Sequence, residues 1–140
     1  MDNTPTRLSL PLTGGCLCGA IRYRITDAPY DAEFCHCRQC QRATGGPVAA
    51  WMDFRIEQAI WEQGTPREYA SSDQVRRGFC PQCGTALTYR HTGYADLLTL
   101  SIASLDQPDQ VAPRYHLHTN SQCRWLTLVD DSPRYPDSRG

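Results

Sequence analysis

Eight cysteines, falling into three tight groups and one singleton, limit what this chain can fold into more than any other feature. Cys16 and Cys18 form a C-x-C pair, Cys35, Cys37 and Cys40 a C-x-C-x-x-C run, and Cys80 and Cys83 a C-x-x-C pair; Cys123 stands alone. The opening residues, MDNTPTRLSL, show neither a charged n-region nor an apolar h-region, so a cytoplasmic, reducing location is expected. In such a compartment clustered thiols serve metal or redox chemistry rather than disulfide staples.

The charge balance narrows the function classes. Fourteen basic residues, all Arg, face 15 acidic ones for a formal net charge of -1. This is not the basic face that a nucleic-acid binder needs. Mean hydropathy is -0.53, and no apolar run is long enough for a transmembrane helix, so neither nucleic acid nor membrane is an expected partner. A length of 140 residues fits one domain. We expect a lead-in over 1–13, a single zinc-binding domain over 14–130, and a flexible tail over 131–140, which carries Pro133, Pro136 and Gly140.

The body reads as mainly β. Ala20 to Ile25 alternates apolar and Arg residues with period two, with Arg22 and Arg24 on the wet face. Pro47 to Trp51, Ala86 to Arg90, Leu97 to Ile102 and Trp125 to Val129 are short apolar or β-branched runs between turn residues. Leu97 to Ile102 is nearly continuous, which predicts a strand covered on both faces. Arg38 to Thr44 predicts one or two helical turns ended by Gly45. Phe54 to Gln63 fits either a helix or a bent strand.

Two metal sites follow from ligand arithmetic. Cys16, Cys18, Cys80 and Cys83 together supply four thiolates, the closed set of structural zinc. Cys35, Cys37 and Cys40 can hold a metal from three sides. Three protein ligands with a fourth position open is the pattern of a catalytic zinc. The rival reading closes this second site with Cys123, His36 or another His. Closure by His36 is disfavoured in an extended segment, where its side chain points away from its neighbours'. His116 and His118, two apart on an expected strand, would share a face. Arg38 and Arg42, four apart beside the thiols, are the candidates for holding an anionic substrate and for offsetting thiolate charge. Cys123 reads as a small buried hydrophobe.

The motifs in order are Gly-Gly-Cys-x-Cys-Gly-Ala, Cys-His-Cys-x-x-Cys with a following Gly-Gly-Pro, Arg77-Gly78-Phe79-Cys80-x-x-Cys83-Gly84, Leu105-Asp106, and His116 followed by Trp125. This set resembles the glutathione-dependent formaldehyde-activating enzyme family, whose relatives include centromere protein V. The likeness runs from about Gly14 to Trp125. It implies a β-tent (Mss4-like) fold of small antiparallel sheets clamped by zinc knuckles. It also implies two zinc ions per chain: a structural one on Cys16, Cys18, Cys80 and Cys83, and a catalytic one on Cys35, Cys37 and Cys40. The implied activity is that of a carbon–sulfur lyase acting on the adduct of a small-molecule thiol, such as glutathione, with formaldehyde or a similar aldehyde. The chain departs from the family in its short length and in Cys123.

The chemistry expected of these residues is a thiol deprotonated on the metal and added to the aldehyde carbon, or the reverse. The competing class is a non-enzymatic, zinc-stabilised binding module with two structural sites. A thiol-redox role for Cys80 and Cys83 lacks the βαβ context that such motifs occupy. Neither the electrophile nor the oligomeric state is legible in the sequence.

Overall fold

Period-two patterning sorts most of the chain into short strands. The computed structural model describes residues 7–139; residues 1–6 of the expected lead-in and Gly140 of the expected tail lie outside the described residues. Its strands are β1 (Leu12–Gly15), β2 (Arg22–Ile25), β3 (Asp31–Cys35), β4 (Ala49–Arg55), β5 (Ala59–Gln63), β6 (Arg67–Ala70), β7 (Val75–Phe79), β8 (Ala86–His91), β9 (Leu97–Ser101) and β10 (His116–Leu117). One α-helix, α1 (Arg38–Thr44), and several short 3₁₀ turns complete the described elements. The protein is therefore mainly β, as its sequence predicts.

The strands form a three-stranded sheet, β1-β2-β5, and a seven-stranded sheet, β10-β3-β4-β9-β8-β7-β6. All pairings are antiparallel except β10 with β3. The main core lies where the two sheets meet. Leu12, Tyr23 and Ile25 of the small sheet join Ala32, Met52, Phe54, Leu98 and Leu100 of the large one. Burying a side chain such as Phe54 stabilises by about 1.5–3 kcal/mol.

Strand alternation gives the large sheet two different faces. Met52 and Phe54 of β4 enter the core, whereas Trp51 joins Cys35, Cys40 and Ala49 in a separate cluster on the other face. Because β4 is flanked by β3 and β9 and both its faces are covered, it is the doubly buried strand. That role does not fall to β9: there Leu98 and Leu100 are buried, but Leu97, Thr99 and Ser101 are half-exposed.

Other expectations are also revised. Phe54 to Gln63 is neither of the two simple forms; it comprises the end of β4, a 3₁₀ turn at Ile56–Gln58, and β5. Trp125 to Val129 is not a strand, and Trp125 and Val129 are largely exposed. Leu12 and Thr13, assigned to the lead-in, belong to β1, and Leu12 is core. The expected flexible tail runs beside β10: His116 N–H donates to Pro133 O at 2.9 Å, Tyr135 N–H to His116 O at 2.9 Å, and Thr119 N–H to Tyr135 O at 3.0 Å. Its prolines cannot donate, but their carbonyls accept.

Candidate metal centres and the cavity beside them

Two reversals of the chain bring the first four thiols together. The first joins β1 to β2, and there the amide of Ile21 donates to Cys16 Sγ at 3.3 Å. The second joins β7 to β8, and there the amides of Gln82 and Cys83 donate to Cys80 Sγ, each at 3.4 Å. Gly84, at φ 80°, turns the backbone in the left-handed region that glycine tolerates best. Cys16 Sγ lies 3.6 Å from Cys18 Sγ, which lies 3.8 Å from Cys80 Sγ. A tetrahedron with metal–sulfur bonds of about 2.3 Å has edges of about 3.8 Å, so this set fits zinc. Cys83 is pulled down to about 5, first by a hydrogen bond with the Thr85 hydroxyl and then by backbone donors.

The second group is built by the end of β3 and the start of α1. Cys37 is the N-cap of α1, and its thiol accepts from the Cys40 amide at 3.3 Å. Gly45, at φ 76°, caps the other end through its N–H to Gln41 O at 2.8 Å. Cys35 Sγ lies 3.4 Å from Cys37 Sγ, and the ligand atoms of Cys35, Cys37 and Cys40 lie within 4.8 Å of one another. Among the described residues, no fourth Cys, His, Asp or Glu ligand atom joins them. The thiols of Cys35 and Cys40 stabilise a thiolate on Cys37, driving its pKa far below the thiol range, while sharing these hydrogen bonds drives Cys35 upward. A trio of soft thiol ligands suits a metal such as zinc.

Buried Gln41 holds this corner in place. Its amide donates to His36 O at 2.8 Å and to Ser121 O at 3.0 Å. His36 itself points away from the thiols: its ring is fully buried, with Nε2 2.9 Å from His116 Nδ1. Beyond it, His116 Nε2 lies 3.0 Å from Asp130 Oδ2. His116 and His118 do not share a face, because His118 adopts φ 58° and ends the extended run. His116 is core, while His118 lines the cavity by the thiols.

That cavity, of about 510 Å³, is open above the second thiol group and floored by the large sheet. Cross-strand partners Arg77, Tyr89, Thr99, Asp53 and Asp31 form one row over β7, β8, β9, β4 and β3. Partners share a face, so the same face also carries Glu33, Cys35 and Trp51. Arg77 stacks over Tyr89 at 5.2 Å and reaches to 3.7 Å from Cys40 Sγ.

The expected substrate arginines divide. Arg38 lines the cavity and donates to Gln41; Arg42 is exposed on α1 and does not line it. The cation nearest the thiols is Arg77, which the sequence reading missed. Its signal was its place three residues before Cys80 in Arg77-Gly78-Phe79-Cys80. Glu33 and Asp53 were missed as well, although each stands as a charge inside an apolar run. Cys123 is half-buried and belongs to neither thiol group.

Comparison with known proteins agrees with this organisation. A putative glutathione-dependent formaldehyde-activating enzyme of Halomonas elongata is 26% identical over 128 residues, covering 84% of this chain and 80% of that protein. An uncharacterized lyase of Schizosaccharomyces pombe, C29B12.13, is 32% identical over 79 residues, 56% of this chain; the match spans just over half, 57%, of that lyase's length. The crystal structure of a Rhodobacter sphaeroides protein superposes with a TM-score of 0.59 at 20% identity, covering 88% of this chain and 99% of that one. This last likeness concerns the fold alone. The model of the glutathione-dependent formaldehyde-activating enzyme family matches residues 11–121, which include both thiol groups, and this chain therefore belongs to that family.

Proposed function

We propose that the protein is a cytoplasmic carbon–sulfur lyase that makes or breaks the adduct between a small-molecule thiol, glutathione being the first candidate, and formaldehyde or a similar aldehyde. The observation that carries this reading is the trio of Cys35, Cys37 and Cys40 at the mouth of a cavity, with no fourth protein ligand among the described residues. In the same reading Cys16, Cys18, Cys80 and Cys83 hold a structural zinc, and the two sheets form a zinc-clamped β-tent. The binding-module alternative has no use for an exchangeable position beside a cavity.

Cys35, Cys37 and Cys40 would hold the zinc, which when bound would favour the deprotonated form of a substrate thiol. The chain's residues do the rest. Hydrogen bonding with Cys35 and Cys40 favours the thiolate of Cys37, and Arg77, 3.7 Å from Cys40 Sγ, offsets negative charge on the trio. Gln41 fixes the backbone on either side of the site. Trp51 and Tyr89 wall the cavity with apolar surface, which restricts water around a reactive aldehyde.

Incubation of the zinc-loaded protein with glutathione and formaldehyde, followed by NMR of the S-(hydroxymethyl) adduct, tests the proposal. Adduct formation faster than the uncatalysed reaction is the expected result. Cys37→Ser should remove that acceleration while leaving the circular dichroism spectrum unchanged. Full activity in Cys37→Ser would sink the metal-centred reading.

A further inference from the structure

The acidic end of the cavity does not belong to the thiol site as derived so far. Glu33 and Asp53 are each only 9% exposed, and both line the cavity that Cys35, Cys37 and Cys40 open into. With Asp31 they place carboxylate oxygens within 4.8 Å of one another. Asp31 is already engaged: Oδ1 accepts from the Ala32 amide at 2.9 Å, and Oδ2 from the Tyr115 hydroxyl at 2.8 Å and from Arg139 at 3.4 Å. Asp53 Oδ1 accepts from the Thr99 hydroxyl at 2.6 Å. No donor reaches Glu33 Oε2, although the atom is buried. A buried carboxyl oxygen without a donor is costly.

We propose that Glu33 and Asp53 form a subsite for a primary ammonium group, so that the thiol this protein accepts is an aminothiol. The inference rests on the lyase reading for the position of the thiol. Glu33 and Cys35 alternate on β3 with their side chains on one face, and two strand residues separate their Cα atoms by roughly 6.7 Å. A small molecule can therefore bring sulfur to the thiol trio and nitrogen to the carboxylates at once. An ammonium group carries three donors and a full charge. It supplies the donor that the orphan Oε2 lacks, through a charge-assisted hydrogen bond.

A divalent metal ion fits this corner less well. Calcium takes six to eight oxygen ligands and magnesium an octahedron, whereas both Asp31 oxygens and one Asp53 oxygen already have donors. The basic side of the cavity is also spatially separate. Arg77 sits on β7, three strands away from Asp53 on β4, beside Cys40, and the cation at the acidic end, Arg139, is paired with Asp31.

The test is calorimetric binding to the zinc-loaded protein, with glutathione against N-acetylglutathione and cysteamine against 2-mercaptoethanol as probes. Each amino-bearing thiol should bind about tenfold or more tightly than its partner, as expected for a charged hydrogen bond. Glu33→Gln/Asp53→Asn should erase that preference while still binding N-acetylglutathione and 2-mercaptoethanol as the wild type does. Equal binding within each pair, or absence of binding by the amino thiols, would overturn the subsite even if the double variant failed to fold. So would magnesium or calcium binding that disappears in the variant, which would make the cluster a metal site. Preference for the amino thiols without any adduct formation would keep the subsite and defeat the lyase reading, so the two failures are separable.

Discussion

His36 Nε2 lies 2.9 Å from Nδ1 of His116, the middle link of a chain that ends on Asp130. Asp130 accepts from His116 Nε2 at 3.0 Å and also takes Arg134 Nη1 at 3.0 Å. A carboxylate only accepts, so His116 carries a proton on Nε2. His36 Nδ1 is buried without a partner. Asp130 thus anchors a ring pair whose inner member, His36, stands between two candidate ligands. Asp130→Ala should leave His116 Nε2–H buried without an acceptor and lower stability by about 1–3 kcal/mol. Urea denaturation is the measurement, and an unchanged midpoint would show that Asp130 does not brace the site.

Arg77 is the cation that the thiol trio relies on. Its guanidinium stacks on Tyr89 and approaches Cys40 Sγ at 3.7 Å. Arg77→Gln should weaken metal retention at the trio by about 10- to 100-fold, the range found when partners of metal ligands are removed. Competition with a chelator, read as zinc per chain, should show this loss while the metal on Cys16, Cys18, Cys80 and Cys83 stays. Equal loss from Arg42→Gln would contradict the assignment.

Glu33 gives the pH dependence a definite sign. Burial first, and then Asp53 and Asp31 beside it, push its carboxyl far above the ordinary value of 4.5. The folded state therefore holds a proton that the unfolded state releases once pH passes 4.5, so stability declines as pH rises above that value. Glu33→Gln removes the penalty. The variant should be more stable than wild type by on the order of 1 kcal/mol near pH 8, with a smaller difference at pH 5. Thermal melts at the two pH values decide it, and a larger gain at pH 5 would reverse the sign.

The two thiol groups should fail in different ways. Cys80 is fully buried and packs with Cys16, Ile21 and Leu87 where the two reversals meet. Cys80→Ser should cost several kcal/mol, on the order of the 3–5 kcal/mol for a broken buried network, and should reduce soluble yield. Cys40→Ser should change the melting temperature much less. Parallel melts of both variants in reducing buffer test the division of labour, and equal destabilisation would count against it.

The ligand groups were legible because thiol spacing is a local code: C-x-C and C-x-x-C place sulfurs on one turn whatever the rest of the chain does. Helix α1 was legible for the same reason, with Cys37 and Gly45 as its caps. The cavity floor was not. Arg77, Tyr89, Thr99 and Asp53 lie on four strands, and only their pairing puts them in one row. The stretch from Trp125 to Val129 misled because an apolar run signals a strand only if a partner edge is free. Here β10 pairs with β3, and residues 133–135 occupy the ground beyond it. Arg38 and Arg42 lie one turn apart on α1, and only Arg38, at its first position, lines the cavity, a difference that spacing alone does not show.

Strand β3 sends Ala32 into the core and Glu33 and Cys35 to the cavity. Insertion or deletion of one residue there would exchange the two sets at a stroke, placing a carboxylate among Met52 and Leu100 and an alanine or phenylalanine where a ligand belongs. Length change in β3 is therefore barred twice over, by folding and by chemistry. In the connection between β6 and β7, Ser72, Asp73 and Gln74 are exposed, and a change of length there would leave both faces of β3 in register.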